Sequence, residues 1–214
     1  MDHIKKILIV FIAHIDDFEI SCLGYFIKYK NEYDEIKIII ASKWLKKEKI
    51  WNDNFSLIKK MHHNVSYLNL NFHQRLFQTN FDKIKDAFYK NLPFCKNIRF
   101  DLLTHDQNDC HTDHVVISNI SKGVFKYTNR YITIYSPSSI NFMPNLWIEL
   151  DKNQFNIKKE MCNKYNINNE QSYSKLGYYL ESEDHYNIGR SYMLENFVHI
   201  DKKYCEIFRI EKWI

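Results

Sequence analysis

A chain of 214 residues has room for one substantial core and is short for two ordinary domains. Its 45% hydrophobic and 26% charged residues are the composition of a soluble globular protein. The formal charge of +4, spread over scattered lysines, suits an anionic small molecule and predicts no nucleic-acid partner.

The first predicted element is a buried strand over Lys5–Ala13, a continuous apolar run. It is too short for a membrane span and carries no small-residue cleavage site. A helix follows from Asp17 to about Lys30, then a second buried strand over 35–42. A helix over 50–62, a strand over 64–71 and a helix over 80–92 ending before Pro93 continue the alternation. The fourth strand is 99–105, followed by a helix from Thr112 to about Lys126 and a fifth strand over 131–136. Beyond that come a strand at 147–151, helical stretches within Asn153–Asn163 and Lys175–Leu194, and a closing strand at 204–210. This rhythm predicts an α/β fold, a mostly parallel sheet with helices on both faces, in a single domain over 1–214. Ligands of such sheets sit beyond the carboxyl ends of the strands.

The five cysteines (Cys22, Cys95, Cys110, Cys162, Cys205) contain no CxxC pair, and an odd number cannot all pair within one chain. A reduced, cytoplasmic setting is the expectation.

Two charged stretches fall at the predicted carboxyl edge. HIDDFE, residues 14–19, follows the first strand, and HDQNDCHTDH, residues 105–114, follows the fourth. Taken alone, HIDDFE reads equally well as a helix start with an acid at the positive end of the dipole. If Thr112 caps the second helix, His111 and His114 lie about one turn apart and can face one point. The two loops then offer His14, Asp16 and Asp17 on one side, and His111, Asp113 and His114 on the other. Three mixed nitrogen and oxygen ligands with an open position suit a catalytic zinc, and a free carboxylate beside it can act as general base. Arg75 lies at the same predicted edge, where it is either a surface arginine or a contact for a sugar or phosphate.

AHIDDFE and CHTDH, in that order and about a hundred residues apart, resemble the AHxDDxE and HxDH signatures of the PIG-L/LmbE-like zinc de-N-acetylases. The resemblance covers the whole chain and implies a Rossmann-like fold. It also implies a zinc held by His14, Asp17 and His114, with Asp16 as general base and His111, in protonated form, as oxyanion stabiliser. Asp113 would fix a histidine tautomer. Glu19 matches a family acid often near substrate hydroxyls, with a solvent-facing first-turn acid as the alternative. The implied reaction removes an acetyl group from an N-acetylated amino sugar or sugar conjugate. Self-association stays open, as does Fe²⁺ or another divalent ion, because such ligands accept several metals.

Two departures stand out. Ile15 replaces the family's usual Pro, and segment 42–62 lacks the glycine and the spaced Arg/Glu pair of many relatives. The second leaves substrate choice open. The rivals are a metal hydrolase of another N-acyl amide and a non-catalytic carbohydrate-binding relative. An aspartate-nucleophile phosphohydrolase would leave CHTDH without a role.

Overall fold

A computed structural model of the chain describes residues 4–42, 47–165 and 204–213. The strands are β1 (Lys5–Ile12), β2 (Glu35–Ser42), β3 (Val65–Phe72), β4 (Ile98–His105), β5 (Arg130–Ile134), β6 (Leu146–Leu150) and β7 (Tyr204–Trp213). They form one sheet in the order β3-β2-β1-β4-β5-β7-β6. The first five strands pair in parallel, whereas β7 runs antiparallel to both β5 and β6. The expected α/β architecture is present.

β1 lies at the centre because its sequence can be buried on both faces. Leu8, Val10 and Ile12 enter one core with residues of α1 (Asp17–Ser21), α2 (Leu23–Tyr29), α3 (Glu48–Met61) and α6 (Lys152–Asn163). Ile7, Ile9 and Phe11 enter the other core with α4 (Phe81–Tyr89) and α5 (Thr112–Lys122). Each such side chain contributes about 1.5–3 kcal/mol on burial, so the run anchors whatever its carboxyl end carries.

The helix expected from Asp17 to Lys30 is in fact two, broken at Cys22 with φ −127°. At the break, the Gly24 and Tyr25 N–H groups donate to the Glu206 carboxylate of β7, at 2.8 and 3.3 Å. Lys158 of α6 pairs with that carboxylate. A side chain satisfies donors that a continuous helix would have turned inward. α5 is shorter than expected and ends at Lys122, followed by a 3-10 turn over Phe125–Tyr127. His62 is buried, its Nε2 lying 3.2 Å from the Tyr33 carbonyl. The helical stretch expected within Lys175–Leu194 lies outside the described residues. Among the described residues, no helix is long and apolar enough to cross a membrane.

Candidate metal centre

β1 and β4 are neighbours in the sheet, yet the chain visits β2 and β3 between them. Their carboxyl ends therefore bound the crevice where the strand order reverses, the usual ligand site of such sheets. HIDDFE leaves β1 on one side of it, and the loop from β4 to α5 closes the other.

Asp16 is the N-cap residue of α1 but makes no side-chain capping bond. Asp17 turns back toward the strand, and its Oδ2 accepts the His14 N–H at 2.7 Å. Both acids do stand at the positive end of the α1 dipole, Asp16 at the N-cap and Asp17 in the first turn, as that alternative has it, but the side chain of Asp16 does not cap the helix. At α5 the cap is His111, not Thr112, its ring Nδ1 accepting the Asp113 N–H at 3.2 Å. His114 then lies on the first turn, buried against the centre.

Donor atoms of three residues approach one another, with a different Asp17 oxygen facing each histidine. His14 Nδ1 is 3.2 Å from His114 Nε2 and 3.4 Å from Asp17 Oδ2, and His114 Nε2 is 3.6 Å from Asp17 Oδ1. A tetrahedral zinc with bonds of about 2.0–2.1 Å has ligand-to-ligand edges of roughly 3.3–3.4 Å. The spacing of these donors suits such an ion, and among the described residues the donor atoms lying within 4.8 Å of one another form two sets that share His114: His14, His111 and His114, and Asp17, His105 and His114. The remaining imidazole nitrogens are held from behind. His14 Nε2 is 3.2 Å from Asp113 Oδ2, and His114 Nδ1 is 2.9 Å from Asp109 Oδ2. His111 is half-buried, with its ring centroid 4.6 Å from those of both His14 and His114.

The electrostatics follow from this crowding. Burial works against charge on His14, but the Asp17 carboxylate and hydrogen bonds to Asp113 and Asp17 raise its pKa to about 10. His114 is lowered to about 4, by burial and then by His105. Asp17 stays well below the ordinary carboxylate range despite its burial, because His114, His105 and His14 surround it. Asp109 and Asp113 are also lowered against burial, chiefly by hydrogen bonds from His114 and His14 respectively. His111 is lowered, by burial and by His14, which favours the neutral ring over the expected protonated form. With Nδ1 accepting a backbone N–H, the neutral His111 ring carries its proton on Nε2.

The other expected residues fall apart from this cluster. Glu19 is fully buried, so the solvent-facing alternative does not hold; its Oε1 accepts from Asn54 Nδ2 at 2.8 Å and Tyr165 Oη at 3.0 Å. The Arg75 side chain is exposed, while its backbone N–H donates to Asp113 Oδ2 at 2.8 Å. Arg75 holds φ 63°, a conformation that costs a side chain about 1–2 kcal/mol and is found where a site constrains the chain.

Sequence reasoning missed two residues in the centre. His105, the last residue of β4, is fully buried, with Nε2 3.2 Å from Asp17 Oδ2 and its ring stacked on His114 at 3.9 Å. The Asp109 carboxylate collects four donors. Both lie inside the quoted HDQNDCHTDH stretch, but no spacing rule distinguishes them from loop residues.

No family model matches the sequence, and no curated protein matches it. Solved structures do match. N,N'-diacetylchitobiose deacetylase from Pyrococcus horikoshii aligns with TM-score 0.63 and 14% identity, over 96% of this chain and 83% of that one. The 4-carboxy-2-hydroxymuconate hydratase of Pseudomonas putida aligns with TM-score 0.61 and 11% identity, over 97% and 96%. A zinc-inhibited form of teicoplanin deacetylase aligns with TM-score 0.55 and 10% identity, over 95% and 97%. The chain shares the fold of these deacetylases and of the hydratase.

Proposed function

We propose that the chain is a metal-dependent N-deacetylase acting on an N-acetylated amino sugar or sugar conjugate. The observation that carries this reading is the mutual spacing of His14 Nδ1, His114 Nε2 and the Asp17 carboxylate, 3.2 to 3.6 Å, at the strand crossover. Those three residues would hold the ion, with zinc favoured by the nitrogen-rich tetrahedral spacing. A divalent cation bound there supplies Lewis acidity, making a water acidic enough to ionise near neutral pH and polarising an amide carbonyl.

The protein's own groups supply the remainder. Asp16, next in the chain to a ligand, buried, and close enough for its charge to act on His14, would take the proton of the attacking water and return one to the leaving nitrogen as the C–N bond breaks. The products are the free amine and acetate. The neutral His111 ring donates its Nε2 proton as a hydrogen bond to the carbonyl oxygen as charge grows there, a contribution worth about 100- to 1000-fold. Asp113 holds the His14 ring through Nε2, and the exposed Arg75 side chain would be a contact for a sugar or phosphate. The deacetylase neighbours support amide hydrolysis over the addition of water to a double bond.

Metal analysis and a substrate panel test the reading together. About one zinc or iron per chain is expected, lost in His14→Ala and His114→Ala. Asp16→Asn should keep the metal and lose about 100- to 10,000-fold in acetate release. A wild-type protein that takes up no metal when zinc is supplied refutes the proposal. Release of another acyl group, with none from acetylated sugars, transfers it to the rival amide hydrolase.

A further inference from the structure

The HDQNDCHTDH stretch contains an acid that the reaction above leaves unused. Asp109 sits between β4 and α5 with its side chain almost fully buried, 1% exposed. Its Oδ2 lies 2.9 Å from His114 Nδ1 and accepts from Ser136 Oγ at 2.5 Å. Its Oδ1 accepts from Ser138 Oγ at 2.5 Å and from the His111 N–H at 2.7 Å. Four donors thus converge on one carboxylate, two of them from the loop after β5. Backbone bonds fasten the same two loops together, Cys110 N–H to the Ser138 carbonyl at 2.8 Å and Ile140 N–H to the Asn108 carbonyl at 2.9 Å.

We infer that Asp109 is a positioning residue for the metal centre, fixing the His114 ring so that Nε2 presents a bare lone pair, with Ser136 and Ser138 holding the carboxylate in place. A carboxylate has no proton to give, so His114 must donate through Nδ1. The neutral ring then carries no proton on Nε2, the atom that faces His14 and Asp17. The serines matter because an unanchored carboxylate could rotate away and leave the ring free to choose its tautomer. His111 is coupled to the same anchor through its backbone N–H. Asp113 has the corresponding position behind His14, so each imidazole of the centre has its own acid. This inference rests on the metal-centre reading above.

The test uses full-length protein labelled with ¹⁵N-histidine, and zinc competition against a chromophoric chelator. In metal-free wild type, the His114 ring nitrogens should show the Nδ1–H tautomer, and in Asp109→Ala a mixture of the two. Zinc affinity should fall about 10- to 100-fold in Asp109→Ala. Asp109→Asn and Ser136→Ala should fall less and in the same direction, and they carry the test if Asp109→Ala does not fold. Folded variants that keep the His114 tautomer and the wild-type zinc affinity overturn the inference. If wild type binds no zinc, the metal-centre reading fails, while the tautomer measurement on metal-free protein still decides whether Asp109 directs His114.

Discussion

Glu19 shows how much one residue's environment can differ from its place in a motif. Burial pushes its pKa to about 8, against the hydrogen bonds it accepts from Asn54 and Tyr165. Its Oε2 has no partner among the described residues. The folded state therefore holds a proton that the unfolded chain releases above about pH 4.5. Folding stability from this group is full below that value and is lost as pH rises through 8, by on the order of a few kcal/mol in all. Glu19→Gln should flatten this dependence, so urea unfolding at pH 5 and pH 8.5 should show wild type losing more stability than the variant. Equal losses would show that Glu19 is ionised in the fold. The comparison separates Glu19 from metal-free His14, whose raised pKa removes stability in the same direction between about 6.5 and 10. None of this was legible in HIDDFE, because the enclosing residues lie 35 and 146 positions away. That His14, Asp17 and His114 come together was legible, because both charged stretches directly follow strands whose carboxyl ends meet at the crossover.

At the scale of elements, the central strands were readable because a strand buried on both faces needs a largely apolar run, as KILIVFIA is and as EIKIIIAS becomes after Lys37. The break between α1 and α2 was not, since its cause is a carboxylate 182 residues downstream. Gly24 is the local trace of that cause. A Cβ built there would lie 2.5 Å from Glu206 Cδ, closer than any real contact. The carboxylate could retreat only by giving up the Gly24 and Tyr25 N–H groups and disturbing its buried pairing with Lys158. Gly24→Ala should therefore destabilise the fold by about 1–3 kcal/mol, although Ala is the better helix former. Chemical denaturation measures this directly, and a variant as stable as wild type would mean that Glu206 does not hold this break.

At the scale of the whole molecule, the sheet order determines what the centre joins. β1 and β4 are adjacent strands reached from opposite directions of the winding, so an ion held by His14, Asp17 and His114 would tie the two halves of the sheet together at their carboxyl edge. The parallel part of this order follows from the βα alternation. The β7-β6 edge does not, because an antiparallel pair joined through distant sequence leaves no local pattern. A ligand that binds only the folded state stabilises it by about 2.7 kcal/mol at one hundred times its dissociation constant. For a chain of this length that corresponds to a rise in Tm of about 5–10 °C. Zinc at that excess should produce such a rise, a chelator should reverse it, and Asp17→Asn should abolish most of it. Arg75→Ala, whose side chain is exposed, should leave the shift intact. If Tm is the same with zinc and with chelator, then no ion spans the crossover, and the histidines and acids there are held together by their shared protons alone.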